Sequence, residues 1–514
     1  MKRIVKQRLE NCKRRIERRL QWRGRDVPKA QWGCGSKTVM SDAGTHYELS
    51  ERSRGMVYGG IGLMHRVACR SGLVRAIDQR LHLLKVHMPY RESDHVLNFA
   101  FNALCEGTCL EDIELRRNDE CFLDAVGAET IPDPTTAGDF CRRFTVGSLY
   151  TLMAAINEAR LNIWRQQPEK FFEEAVIEMD GTLVITTGEC KEGMDMSYKG
   201  TWSYHPLIVS LANTGEVLSL VNRPGNRPSE EGAAAEADRA IALCRQGGFR
   251  KIKLRGDTAF SQTKHLDRWD ADGIVFQFGY DATPNLKEIA DKLSESAWEK
   301  LERPPAWEVK TKPRARPPRV KRRIIREREY LHLELRSEEV AELEYRPVAC
   351  KKTYRMIVVG KNISQEQGEL RLFDEVRYFF YITNDRQSTP AEVVFSCNDR
   401  CDQENLVAQL SGGVRALTAP VDNLISNWAY MLMTSLAWTL KAWCGLLLPI
   451  HPRWRKKHEE ERRRVLRMEF KTFVNAFVKL PCQIVRQARG VIFRVLNYNP
   501  HLGVFFRLCS QLRC

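Results

Sequence analysis

Between Glu174 and Phe278 the hydrophobic pattern changes period, and that change restricts the fold to a sheet with helices packed on it. Ala175–Thr187, His205–Leu211 and Val217–Val221 are short β-branched runs separated by Gly-rich turns, the pattern of an antiparallel strand trio. The pattern then alternates. Ser229–Gln246 is Ala-rich and helical and stops at Gly247-Gly248; Lys251–Leu254 is strand-like, Ser261–Trp269 helical, and Ile274–Phe278 strand-like again. Strands first, then strands alternating with helices, predict a mixed α/β layer structure.

That element order is the order of a ribonuclease-H-like core, here expected over residues 174–302 and 390–450. At 514 residues the chain exceeds the roughly 250–300 at which a single core stops growing, so flanking units are expected. Residues 1–40 read as a basic helical arm with a Gly- and Ser-rich break around Gly33–Ser36. Residues 41–173 read as a helical region. There Leu73, Ile77, Leu81 and Leu84, then His95, Leu97, Phe101 and Leu104, recur at helical spacing. Asp133-Pro134-Thr135-Thr136 marks a helix start, with Pro where a missing N–H costs nothing.

Residues 303–389 carry strand-like runs at Tyr330–Leu335, Tyr354–Gly360 and Val376–Thr383, behind a stretch, Thr311–Arg328, dense in Lys, Arg and Pro. This is the composition of a β-rich insertion with a basic, proline-stiffened loop. From Ala391 the pattern is helical to the end, and residues 451–514 form a basic region with a cluster at Arg453–Arg464. The expected class is therefore α/β: a ribonuclease-H-like catalytic core interrupted by a β-rich insertion, with helical N- and C-terminal regions.

The formal charge of +16 favours a polyanionic partner, nucleic acid before an anionic membrane. The most hydrophobic stretch, Trp428–Ile450, is interrupted by Lys441, and its apolar part is shorter than the roughly 20 residues a span needs. A buried helix is the expectation. Met1–Arg25 lacks the apolar core of a signal peptide. The 16 cysteines include no CxxC pair; Cys105/Cys109 and Cys397/Cys401 are spaced to suit a helix face, as reduced thiols of a cytosolic protein would be.

Three acids stand in settings that point to chemistry. Asp180 ends the run Val176-Ile177-Glu178-Met179, and an acid in an apolar strand is costly to bury unless paired or metal-bound. It also reads as a plain strand-end cap, and Glu178, two residues away on the same strand face, is its rival. Asp257 follows the strand-like Ile252–Leu254 through Arg255-Gly256, a position that equally suits an N-cap. Asp272 and Asp281 are further candidates in turns. Glu404 opens a helix running through Leu406 and Leu410, and Arg400, four residues earlier, admits an ordinary i,i+4 ion pair.

In this order the blocks resemble those of DDE transposases of bacterial insertion sequences, from about Tyr47 to the C-terminus, and most closely insertion-sequence family thirteen-eighty. The first-acid block resembles Glu178-Met179-Asp180-Gly181-Thr182, followed by Tyr204-His205-Pro206-Leu207 and Arg223-Pro224-Gly225-Asn226. The second-acid block resembles Arg255-Gly256-Asp257-Thr258-Ala259-Phe260. The group's third block, Tyr, Arg, Glu and Lys at gaps of two, three and six residues, falls on Cys397, Arg400, Glu404 and Ser411. The Arg and Glu are kept; the Tyr and Lys, associated in the group with the phosphate beside the cleaved bond, are replaced. Asp133–Phe140 resembles the segment before the catalytic domain.

The resemblance implies that Asp180, Asp257 and Glu404 are catalytic and hold two Mg²⁺ ions, with Mn²⁺ as substitute. Such a pair supplies positive charge to the attacking and leaving oxygens of a phosphodiester. It implies cleavage and strand transfer at terminal inverted repeats of a mobile element, with double-stranded DNA as partner, a homodimer in the synaptic complex, and a cytoplasmic, nucleoid-associated location. It also admits a hairpin intermediate. Arg400 is expected at a phosphate, and Lys312, Arg314, Arg316, Arg319, Lys321, Arg322 and Arg323 form the expected DNA-facing loop. Trp307, Tyr378 and Phe379 are candidates for stacking on an extruded base, or for core. Two other classes remain: a catalytically inactive relative that binds the element's ends, and a basic RNA-associated protein with structural carboxylates.

Overall fold

The computed structural model describes residues 7, 11, 14–18, 54–87, 89–188, 191–303, 320–329, 331–367, 370–399, 401–487, 490–496 and 498–513. They belong to two compact units, Met1–Val57 with Pro481–Asn497, and Tyr58–Leu480 with Tyr498–Cys514. Of the expected basic arm, residues 14–18 are helical and most of the rest lies outside the described residues.

The larger unit opens with helices that include α1 (Glu92–Leu104), α2 (Pro134–Arg142) and α3 (Val146–Trp164). The predicted start of α2 is the observed one. Asp133 Oδ1 accepts from the Thr136 N–H at 2.9 Å, and Pro134 takes the first helical position.

A mixed sheet follows, with β1 (Glu174–Gly181), β2 (Leu207–Leu211), β3 (Glu216–Val221), β4 (Lys251–Gly256) and β5 (Val275–Tyr280), then β6 (Glu299–Lys300), β7 (Leu331–Tyr345), β8 (Tyr354–Gln367) and β9 (Leu370–Thr383). Across the described residues the order is β6-β7-β8-β9-β5-β4-β1-β2-β3. The trio β1–β3 is antiparallel, while β4 runs parallel to β1 and β5 parallel to β4. Parallel steps need crossovers; α4 (Ala233–Gly247) and α5 (Leu266–Ala271) supply them. Strands β9, β8 and β7 then continue the same sheet from β5 as an antiparallel meander.

The last helices of this unit include α6 (Pro390–Asn398), α7 (Cys401–Ala408), α8 (Leu424–Leu446) and α9 (Arg455–Arg467). Helix α6 packs Val393, Val394 and Cys397 on Val340 of β7 and on Ile357 and Val359 of β8. Helix α8 is the predicted buried helix, covered from Ser426 to Leu446. No helix of the described residues is long and apolar enough to cross a membrane.

Where α3, β3 and α8 meet, one acid is completely enclosed. The Glu216 carboxylate receives Arg160 Nε at 3.0 Å, Trp164 Nε1 at 3.0 Å, Trp443 Nε1 at 2.9 Å and Thr214 Oγ1 at 2.7 Å. Neither Arg160 nor Glu216 reaches solvent. A buried charge is tolerated on these terms, paired and hydrogen-bonded at both oxygens.

Several boundaries differ from the sequence reading. Ala175–Thr187 divides, because β1 ends at Gly181 and Val184–Ile185 joins a separate small sheet with Trp202–Tyr204 and Asp195–Met196. The long strands β7–β9 run to 15, 14 and 14 residues, well past the apolar runs that announced them. Leu333 and Leu335 of β7 and Leu370 and Val376 of β9 are exposed, so at those ends pairing between neighbouring strands rather than a buried face sustains the strands. Residues 320–327, expected in the loop, are helical, beyond the last proline of that stretch. The expectation of helix from Ala391 to the end is corrected by a hairpin, Cys482–Gln487 with Gly490–Val495. With Arg54–Met56 it forms the three-stranded antiparallel sheet of the smaller unit. The β-branched Ile484, Val485, Val491 and Ile492 favour strand there.

Candidate active site

In an open α/β sheet, ligands gather beyond the carboxyl ends of the parallel strands where the winding reverses. Here that point lies between β1, whose chain continues to β2 on one side, and β4, whose chain continues to β5 on the other. The parallel register pairs Glu178 with Arg255. Two residues further along stand Asp180, still in β1, and Asp257, the residue after β4 ends, so both aspartates lie towards the carboxyl ends of adjacent strands. Both are half-buried. On its other side Asp180 pairs with Ile208 of β2.

Asp257 is also an N-cap. Its Oδ1 accepts from the Ala259 N–H at 3.0 Å and holds the 3₁₀ turn Thr258–Phe260. The turn lies so close to β5 that a Cβ on Gly279 would stand 2.9 Å from Thr258 N.

Glu404 lies on α7, exposed, and lines a cavity of 420 Å³ together with Asp257. Asp281, Tyr280, Phe379 and Tyr381 line the same cavity; Asp180 does not. Asp257 is thus related to Asp180 by the register of their strands and to Glu404 by a shared cavity lining. Among the described residues no three of His, Cys, Asp and Glu stand close enough to form a ready metal site. The acids here are carboxylates, the donor type that suits a hard divalent cation, with Cys397 in the same cavity lining and His205 beside Gly181.

A family model described as transposase DDE domain group 1 matches residues 56–514. The chain belongs to that family. Among solved structures, a piggyBac transposase synaptic complex with hairpin DNA is similar at 8% identity and a TM-score of 0.37, with 83% of each chain covered. No curated protein matches the chain.

In this DDE transposase Glu178 and Asp180 differ in burial, the first enclosed and the second half-buried. Glu178, 1% exposed, is engaged by Arg255, whose Nε and Nη2 lie 2.8 and 2.6 Å from its Oε1. Arg255 Nη1 also donates to Ser396 O of α6 at 2.5 Å. A second anchor escaped the sequence reading altogether. Gln403, fully buried, bonds to Ser210 Oγ, and its Nε2 donates to Ile208 O at 3.4 Å. It thereby ties the helix of Glu404 to the strand paired with Asp180. Only its place beside Glu404 marked it, and a glutamine carries no signal of its own.

The other candidates are scattered. Asp281 is at the cleft, whereas Asp272 caps α5, and its carbonyl oxygen accepts from Arg245. Cys397, at the Tyr position of the third block, is packed against the α6 core and also lines the cleft; Ser411, at the Lys position, is exposed in a π-helical turn. Tyr378 stacks on Trp298 and donates to Asp291 at 2.7 Å, while Phe379 is exposed with Lys361 Nζ 4.8 Å from its ring centre. Arg400, Lys312, Arg314, Arg316, Arg319 and Trp307 lie outside the described residues. Lys321, Arg322 and Arg323 fall in the helix Val320–Glu327, where exposed Arg323 pairs with Glu327 at 2.6 Å.

Proposed function

We propose that this chain is the transposase of a bacterial insertion sequence, of the kind found in family thirteen-eighty, cutting DNA at terminal inverted repeats and joining the ends to target DNA. The observation that carries the reading is that Asp180 and Asp257 each follow the paired Glu178 and Arg255 of adjacent parallel strands by two residues, while Asp257 and Glu404 line one cavity. The strand order β3-β2-β1-β4-β5, antiparallel then parallel, supports a ribonuclease-H-like core.

Asp180, Asp257 and Glu404 would hold two Mg²⁺ ions, which supply positive charge to the attacking and leaving oxygens of the phosphodiester. Hydrolysis breaks the phosphorus–oxygen bond at the element's end and leaves a 3′-OH. Attack of that hydroxyl on a target phosphodiester forms the new bond and releases a target 3′-OH. Arg255 and Gln403 keep the carboxylate-bearing elements in register while this happens. Phe379 offers an exposed ring for an unstacked base beside the acids, whereas Tyr378 is already held. Arg400 and the basic residues from Lys312 to Arg323 are assigned to phosphates. Two ends must be held together, which calls for a homodimer on DNA, acting in the cytoplasm at the nucleoid.

A second reading, an inactive relative that binds the ends, draws on Cys397 and Ser411. A buried thiol and a short hydroxyl replace a phenol and a cation at positions the group uses for phosphate. The test is cleavage of a labelled duplex carrying the element's own end, with Mg²⁺ or Mn²⁺, for wild type and Glu404→Ala. Metal-dependent cuts at the end that vanish in the variant are expected. Binding without a cut in either metal would favour the inactive relative, and retained nicking by Asp257→Ala would sink the assignment of that acid.

A further inference from the structure

We infer that Arg255 is the positioning residue that sets the spacing of the three acids, by joining the three elements that carry or lead to them. The inference rests on the reading of Asp180, Asp257 and Glu404 as cation ligands. Arg255 itself stands on β4, two residues before Asp257. Its Nε and Nη2 hold Glu178, two residues before Asp180 on β1, and its Nη1 holds Ser396 O on α6, the helix that leads into α7 and Glu404. Both side chains of the pair are buried, Arg255 at 7% exposure and Glu178 at 1%. A second link runs parallel to it, since Ser396 Oγ donates to Gln277 Oε1 on β5 at 2.6 Å.

Two features separate this arrangement from ordinary packing. Residues two apart on a strand share a face at a separation of about 6.6 Å, so a constraint on 178 and 255 passes directly to 180 and 257. And a buried ion pair is seldom the most stable filling for such a space, because apolar residues of similar volume often hold a core as well or better. What the pair supplies is direction and length. The guanidinium presents donors in a fixed planar fork and meets acceptors on β1 and α6 at once, which a lysine ammonium on a flexible stem does not reproduce.

The test uses the full chain without DNA and Mn²⁺ as probe, its binding followed by the loss of the free-ion electron paramagnetic resonance signal. Wild type, Arg255→Lys, the double variant E178Q/R255Q and the ligand control Asp257→Asn are compared, with thermal melts to establish folding. The double variant removes both charges, leaving neither buried alone, and serves if Arg255→Lys does not fold. Losses of outer contacts at metal sites typically cost about 10–100-fold in affinity, and a fall of at least about tenfold is expected for a folded Arg255 variant. Wild-type Mn²⁺ affinity in either folded variant would overturn the inference, as would absence of Mn²⁺ binding by wild type. Arg255-dependent Mn²⁺ binding together with a wild type that cuts no DNA end would defeat the cleavage reading alone.

Discussion

Glu216 within the sheet and the acids gathered near the ends of β1 and β4 are carboxylates in opposite circumstances. Glu216 is sealed among Arg160, Trp164, Trp443 and Thr214, with hydrogen bonds to both oxygens. Asp180 and Asp257 are half-buried at strand ends, and Glu404 is exposed. The first arrangement spends every lone pair on the protein and can only hold elements together. The second leaves its acids with part of their surface open to solvent. Glu178 shows both on one strand, since it is paired inward to Arg255 while Asp180 lies at the edge.

The sharpest way to break this comparison is to neutralise one acid of each kind. Asp180→Asn should lower end cleavage by more than the roughly 10–100-fold that loss of a metal's outer contact costs, with little change in melting temperature. An assay on DNA with melts alongside decides it, and a large drop in stability would place Asp180 with Glu216. The converse is Glu216→Ala, which leaves Arg160 buried without its partner. It should destabilise by about 3–5 kcal/mol in denaturant titration, with cleavage per folded molecule unchanged.

Lys441 sharpens the comparison from the side of a buried cation without a carboxylate. Burial in α8 brings its pKa down to about 7; its Nζ donates to Leu466 O at 2.8 Å and lies over the Trp438 ring. Because the folded value lies below the unfolded one, charging is penalised in the folded state. The penalty is absent above the unfolded value, grows as pH falls, and is full below about 7. Lys441→Met should therefore stabilise by on the order of a few kcal/mol at pH 6 and much less at pH 10.5, as read from melts across that range. The smallest effect belongs to the surface. Arg323→Ala, removing one exposed cation, should leave folding intact and reduce the salt slope of DNA binding by about 1.

Much of the fold could be read from local pattern. The β-branched runs announced β1–β3, Ala-rich periodicity announced α4, and Asp133-Pro134 announced α2 to the residue. What pattern missed were elements whose stability comes from neighbours. The outer lengths of β7–β9 have no continuous apolar face, and the hairpin at 482–495 lies in a stretch whose flanks are helical. The acids themselves were visible as strand-end and helix-start carboxylates, but their rivals were equally so.

By itself, then, the sequence determined which segments are strand and helix near the core, the excess of positive charge, and a short list of acids in a family's order. Those properties follow from residues within a few positions of one another. Only the tertiary structure decided that Glu178 is taken by Arg255, that Gln403 moors the helix of Glu404, that Glu216 is sealed, and that the strands leading to Asp180 and Asp257 are parallel neighbours. Each depends on partners far apart in the chain, and a carboxylate's role is set by what surrounds its oxygens rather than by its neighbours in sequence.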